Sequence, residues 1–144
     1  MGARRQGRIL AFQSLFRYDL SQAPLSELLD FSWYNAERHE NLNKEATAFA
    51  CLLIAGTLER LDDIDRSITD QLENWDFSRL ARVDCAILRM SVYCLLYQHD
   101  IPASVTIDEA IQIAKEFGSE DSYKFINGVL DAIAKKKAPD TAHG

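Results

Sequence analysis

The sequence predicts an all-α fold. Apolar residues recur every three to four positions along most of the chain, which is the period of an amphipathic helix. The 144 residues include only 6 glycines and 3 prolines, which is too little turn material for a many-stranded β fold. We expect six to seven helices in two small bundles that share a core. Residues 1–144 are interpreted as one domain, with helical subdomains at about 1–75 and 76–138 and a tail at 139–144.

The N-terminal half predicts three helices. The first covers residues 4–20 and has an apolar stripe formed by Ile9, Phe12, Phe16 and Leu20. A short second helix covers residues 25–37. A long third helix covers residues 44–74, with Asn43 as its N-cap. The acidic segment at 58–65 is compatible either with a kink or with a solvated face of that helix.

The C-terminal half begins with a helix over residues 80–98 that is apolar almost all round. Helices of this kind lie at the centre of a fold, because no face of them suits water. A helical hairpin at residues 104–134 follows and is expected to pack back on the central helix.

The hairpin carries sequence patterns for its own ends. Thr106 and Glu109 have the spacing of a capping box, which predicts a helix start at Thr106. Gly118 predicts a left-handed helix end. Ser119 predicts the N-cap of the last helix, with acidic residues following in its first turn.

Two features of the last helix do not suit a simple hairpin. Phe125 lies beside the apolar stripe, and Asn127-Gly128 falls within the helix. A glycine inside a helix costs ~1 kcal/mol relative to alanine, so a local reason is expected. A close approach of two helices is one candidate reason, and a role of this segment in binding is the other.

The charge distribution is uneven. The formal net charge is −6, but residues 1–18 contain four arginines and no acid, while the remainder carries 12 basic and 22 acidic residues. Arg4, Arg5 and Arg8 stand at the start of a helix, where cations oppose the dipole. Guanidinium groups suit phosphate oxygens. The cluster therefore indicates anion binding, and the alternative is a merely solvated tail.

No catalytic constellation is recognisable. The three histidines are scattered, and the sequence has neither a phosphate-binding glycine loop nor a nucleophile elbow. Cys51, Cys85 and Cys94 lack metal-ligand spacing and are interpreted as buried reduced thiols. We therefore predict no enzymatic activity, no cofactor and no metal. The sequence lacks an apolar run of ~20 residues and a signal-peptide pattern, so we predict a cytoplasmic location without membrane contact.

Binding remains as the predicted role. Single-stranded RNA is commonly held by arginines on phosphates and by aromatic rings on unpaired bases. Phe125, with Lys124 and Asn127 nearby, is a candidate for the stacking position, although it also suits the flank of a core. The RNA hypothesis requires these residues to lie near the arginine cluster. The alternative is a helical adaptor whose acidic body binds a basic protein and whose arginines are solvated.

Several motifs match a known family. The C-terminal run VTIDEAIQIAKEFGSEDSYKFINGVLDAIA, the preceding VDCAILRMSVYCLL and the N-terminal ARRQGRILAFQSLFRYDLSQ resemble the NusB transcription antitermination family. The resemblance covers nearly the whole chain, and residues 24–75 match only in helical pattern. It implies an all-helical, NusB-like fold and a non-enzymatic role in bacteria.

The resemblance also implies partners. Proteins of this family pair with the small-subunit ribosomal protein NusE and hold the boxA element of nascent ribosomal RNA. Other Nus factors and RNA polymerase complete the larger complex, which reads through terminators.

The resemblance further implies particular site residues. The RNA-binding positions implied by the family are Arg4, Arg5, Arg8, Asp121, Lys124, Phe125 and Asn127. The positions implied to contact the protein partner are Phe16, where the family often has Tyr, and Asp84.

Overall fold

A computed structural model describes residues 2–31, 33–34, 42–73 and 76–142, and for 138–142 it describes the backbone alone. These ranges contain seven α-helices, one 3-10 helix and no strand. The elements are α1 (Ala3–Ser21), α2 (Leu25–Asp30), α3 (Lys44–Glu59), α4 (Leu61–Thr69), the 3-10 helix (Phe77–Arg79), α5 (Arg82–Tyr97), α6 (Ala103–Phe117) and α7 (Ser122–Ala142). The predicted all-α class is confirmed. The second helix, predicted at 25–37, ends at Asp30, because Phe31 adopts a left-handed φ of 57°. Residues 35–37 of that prediction lie outside the described residues.

Helix α5 forms the centre of the fold, as its uniform apolarity predicts. Every residue from Asp84 to Leu95 is buried, and α5 packs against α1, α3, α4, α6 and α7. One hydrophobic core includes side chains from all seven helices. The division into subdomains at 1–75 and 76–138 stays a prediction, and the core draws on both ranges.

The predicted third helix is interrupted at Arg60, between α3 and α4, so the kink is the correct one of the two alternatives for residues 58–65. Arg60 has φ −117° and ψ 22°, outside the helical region. After the break, Ile64 and Ile68 are completely buried, so the turn allows a second amphipathic helix to pack on α5. The predicted N-cap is confirmed, since Asn43 Oδ1 accepts hydrogen bonds from the backbone N–H groups of Glu45 and Ala46 at 2.8 and 3.2 Å.

The predicted capping box at the start of α6 is wrong. Pro102, with its φ of −58°, precedes the helix, which begins at Ala103. Proline is pre-organised for a helix start, so the helix begins one turn earlier than the capping pattern indicates. Thr106 is therefore buried inside α6. Glu109 does not cap the helix but pairs with Arg5 on α1.

The corner between α6 and α7 differs from the prediction as well. Gly118 has φ −91° and ψ −175°, which is extended and not left-handed. A Cβ at Gly118 would lie 2.7 Å from the Ser122 side chain, so the glycine is needed for close approach. Ser119 donates its backbone N–H to Ser122 Oγ at 2.9 Å. Helix α7 begins at Ser122, and the acidic residues expected in its first turn precede it.

The end of α7 extends further than predicted. The tail expected at 139–144 is helical up to Ala142. Lys137 Nζ donates to the carbonyl oxygens of Leu95 and Leu96. These carbonyls belong to the last turn of α5, where a cation is favourable. The side chain thereby ties α7 to the end of the central helix.

Replacing two helical glycines by alanine should change stability in opposite directions. At Gly128 a Cβ would meet nothing within 4 Å, so Gly128→Ala should raise the free energy of unfolding by ~0.8–1 kcal/mol. At Gly7 a Cβ would lie 2.8 Å from the Ala46 carbonyl oxygen, so Gly7→Ala should lower it by ~1–3 kcal/mol. Urea unfolding followed by circular dichroism measures both. A stabilising Gly7→Ala would contradict the close packing of α1 on α3.

Candidate nucleic-acid interface

The three N-terminal arginines form an ordered cluster in the first turns of α1. The Cζ atoms of Arg4 and Arg8 lie 4.4 and 5.2 Å from the centroid of the Phe49 ring, which belongs to α3. Gly7 lies between them, and its missing side chain allows α3 to come this close. Two guanidinium groups are thus held over one aromatic ring, an arrangement stabilised by cation–π attraction.

Arg5 is paired within the protein. Its Nε and Nη2 atoms donate to Glu109 Oε2 and Oε1 at 2.9 and 3.2 Å. The hydrogen bond and the charge of Glu109 raise the pKa of Arg5. The geometry is the two-pronged arrangement that guanidinium groups also use for phosphate.

Arg8 is buried, with 5% of its surface exposed, and burial lowers its pKa. Within the described part of the chain it has neither a hydrogen bond nor an ion pair, and its ring contact is Phe49. Arg4 is exposed and likewise has no carboxylate within ion-pair distance there. Arg4 and Arg8 therefore supply the unbalanced positive charge of this cluster.

A pocket of about 340 Å³ lies between the start of α5 and the start of α7. Phe125, Asp121 and Asp84 line it together with Arg79 and two serines. Asp84 is buried, and among the described residues its Oδ1 atom has no hydrogen-bond partner. Phe125 is half-buried, packs against the core and also forms a wall of the pocket. Both interpretations of Phe125, core flank and exposed aromatic, are thus partly correct.

A network of ion pairs joins α1, α4 and α5 beside this pocket. Arg82 pairs with Asp19 at 2.9 Å, and Arg89 lies 3.6 Å from the same carboxylate. Arg89 also donates two hydrogen bonds of 2.9 Å to Asp65. Sequence reasoning missed this network, although charged residues on an otherwise apolar helix indicate that partners exist.

The predicted site residues fall into two groups and not into one cluster. Arg4, Arg5 and Arg8 lie at the N-terminal end of α1. The pocket lies near its C-terminal end, because Arg82, next to the pocket residue Ala81, pairs with Asp19. From Arg8 to Asp19 the helix rises by roughly 16 Å. No hydrogen bond, ion pair or ring contact joins the two groups directly in the described ranges. A second route nevertheless runs between them, because Arg5 and Lys115 line one groove and Lys115 Nζ lies 5.0 Å from the centroid of the Tyr123 ring, next to Lys124 and Phe125.

The remaining predicted residues lie outside the pocket. Lys124 and Asn127 are exposed on α7. The Nζ atoms of Lys124 and Lys115 lie 5.8 and 5.0 Å from the centroid of the Tyr123 ring. Phe16 is half-buried on α1 and packs against the core. A Cβ on Gly128 would meet open space, so a close helix approach does not explain the Asn127-Gly128 pair.

The three cysteine side chains are buried or half-buried. Burial raises the pKa of the Cys85 and Cys94 thiols to about 11, so both are unreactive near neutral pH. Cys51 is half-buried, and burial raises its pKa too.

In the described ranges, no three His, Cys, Asp or Glu side chains are grouped as a metal site would require. Nor is any helix there long and apolar enough to span a membrane.

Comparisons with known proteins give a consistent result. The model of the NusB family matches residues 5–135. The transcription antitermination protein NusB of Treponema denticola is 50% identical over 133 residues, which covers 92% of this chain and 96% of the relative. The corresponding protein of Geobacter sulfurreducens is 47% identical over 134 residues, covering 93% and 95%.

Solved structures are similar to this chain over most of its length. NusB of T. maritima has a TM-score of 0.80 at 42% identity and covers 92% of this chain and 90% of its own. A crystal structure of the antitermination factors NusB and NusE in complex with double-stranded RNA has a TM-score of 0.81 at 29% identity, covering 94% and 98%. The family match, the curated relatives and these structures together show that the chain belongs to the NusB family.

Proposed function

We propose that this protein acts in transcription antitermination by holding boxA-type single-stranded RNA together with the ribosomal protein NusE. In this role it is a non-enzymatic, cytoplasmic binding protein, and the complex acts with other Nus factors on RNA polymerase. The proposal rests on two sites: the arginine cluster at the N-terminal end of α1, and the aromatic pocket between the start of α5 and the start of α7.

The two sites suit different parts of an RNA strand. Arg4 is exposed and has no carboxylate partner in the described ranges, so it is available to a phosphate. Arg8 also lacks such a partner but is buried, so its side chain must turn outward to reach a phosphate. The pocket is lined by Asp84 and Asp121 and by one cation, Arg79. With two carboxylates against one guanidinium, it suits a base stacked on Phe125 better than a phosphate. The rise of α1 from Arg8 to Asp19, roughly 16 Å, corresponds to about five nucleotides at ~3.4 Å each. One short strand would thus reach both.

The acidic remainder of the chain supports a basic protein partner. Residues 19–144 carry 12 basic and 22 acidic residues, and such a body attracts a positively charged protein. The unpartnered Oδ1 of Asp84 would gain a hydrogen bond from a donor that enters the pocket. The same acidic surface also favours the second candidate function, an adaptor that binds a basic protein and no RNA.

Binding of a boxA-type RNA, measured by fluorescence anisotropy with and without NusE, distinguishes the two functions. We expect binding that strengthens when NusE is present. The same sequence as a duplex should bind more weakly, because its bases are not available for stacking. An absence of RNA binding under both conditions, with NusE binding intact, would favour the adaptor.

Arg4→Gln should reduce the salt dependence of RNA binding. If Arg4 and Arg8 each contact one phosphate, log K against log salt concentration should have a slope of about −1.4, and the variant a slope of about −0.7. Titrations between 50 and 200 mM salt measure this difference. Arg66→Gln is the matched control, because Arg66 is exposed on α4 and pairs with Asp63. Equal slopes for Arg4→Gln and the control would exclude Arg4 from the interface.

A further inference from the structure

We propose that Glu109 sets how many phosphates the arginine cluster binds, because it holds Arg5 in an internal ion pair. The proposal rests on the RNA-binding function above and concerns the same cluster. In the native protein the phosphate ligands are the exposed Arg4 and, once its buried side chain turns outward, Arg8. Arg5 joins them only when the Glu109 carboxylate loses its charge or is displaced.

The contact geometry supports competition between Glu109 and RNA. Both carboxylate oxygens of Glu109 accept hydrogen bonds from Arg5, and this is the pairing that a phosphate would need. A phosphate that approaches Arg5 therefore meets a negative charge within 3.2 Å of the guanidinium. The side chains of Arg5 and Glu109 are 45% and 20% exposed, so the pair is accessible to an incoming anion.

Arg5 has acidic neighbours, whereas Arg4 and Arg8 contact an aromatic ring. Arg5 lies in a groove between α1 and α6 that also contains Glu116 and Lys115. Glu116 adds a second negative charge that acts on Arg5. Arg4 and Arg8 instead stack on the neutral Phe49 ring. Of the three, Arg5 is thus the one that pairs directly with a carboxylate in the described ranges, and Arg8 is affected by the charge of Glu109 only at a distance.

The ion pair between Arg5 and Glu109 should change the salt dependence of RNA binding. A guanidinium already paired with a carboxylate displaces no phosphate counterion, so Arg5 should add nothing to the salt slope of the native protein. With Glu109→Gln, Arg5 should add about −0.7, giving a slope of about −2.1 in place of about −1.4. The corresponding rise in affinity is ~8-fold at 50 mM salt and ~3-fold at 200 mM.

Titration of a boxA-type single-stranded RNA with the full chain tests the proposal. Glutamine keeps the length and helix propensity of Glu109 and removes only its charge. Asp108→Asn is the matched control, since Asp108 is the exposed acid next to it on α6 and its removal changes the net charge equally. We expect a clear gain for Glu109→Gln, a smaller one for Asp108→Asn, and no specific gain when Arg5→Gln is combined with Glu109→Gln.

The outcomes separate this inference from the proposed function. If the native chain binds RNA but Glu109→Gln binds no better than Asp108→Asn, Glu109 does not compete with phosphate. Weaker binding of Glu109→Gln would show instead that Glu109 orients Arg5 for RNA, which also overturns the proposal. If the native chain binds no RNA with or without NusE, the proposed function and this inference fail together.

Discussion

Phe125→Leu should weaken binding of boxA-type RNA by about 5- to 150-fold. This range corresponds to the ~1–3 kcal/mol contributed by stacking one base on an aromatic side chain. Phe125 forms a wall of the pocket at the start of α7, so its ring is available on one side. Leucine fills similar space and cannot offer a flat face. Fluorescence anisotropy at constant salt measures the loss.

Two controls separate stacking from folding. Phe125 also packs against the core, and removing a buried phenylalanine altogether costs ~3–5 kcal/mol of stability. The leucine variant should lose less than ~1.5 kcal/mol in urea unfolding. Phe125→Tyr keeps the ring and should bind RNA almost as well as the native chain. Native-like binding by the leucine variant would place the RNA elsewhere.

Asp65→Ala should lower the free energy of unfolding by about 3 kcal/mol. Asp65 accepts both hydrogen bonds of Arg89, whose side chain is only 10% exposed. Removing one partner of a buried ion pair leaves an uncompensated charge, which costs ~3–5 kcal/mol. The lower end applies because Asp19 remains 3.6 Å from Arg89 and because Asp65 is partly exposed. Urea unfolding measures the change.

Asp63→Ala is the matched control for this effect. Asp63 is on the same helix, and it pairs with Arg66 on the surface, where both side chains are mostly exposed. Exposed pairs contribute ~0–1 kcal/mol, so this variant should remain close to the native stability. Equal losses for the two variants would mean that burial of Arg89 does not matter.

Much of the fold could be predicted because periodicity reports burial directly. The stripe on α1, the all-round apolarity of α5 and the apolar positions of α7 each follow from local sequence, and each helix is observed. Asn43 is confirmed as an N-cap for the same reason: its hydrogen bonds reach only two and three residues along the chain. The arginine cluster was recognisable from charge alone.

Predictions failed where distant residues compete with local patterns. Thr106 and Glu109 have capping spacing, but Pro102 starts α6 earlier and Arg5 engages Glu109 from another helix. No proline or glycine marks the interruption of the helix at Arg60. The helix that follows buries Ile64 completely in the core. Glycine is needed at position 118 because a side chain there would collide with Ser122. The backbone at this position is extended and not left-handed.

The sequence by itself determined the all-α class, the central position of α5, the family and which residues are candidates for RNA binding. These depend on residue type and on spacing within one helix. Only the tertiary structure decided which of those residues share a site. It placed Asp84 in a pocket with Asp121 and Phe125 that none of the three N-terminal arginines lines, and it paired Arg5 with Glu109. The physical reason is that charge compensation and pocket formation depend on distances between helices, and the packing of the whole chain sets those distances.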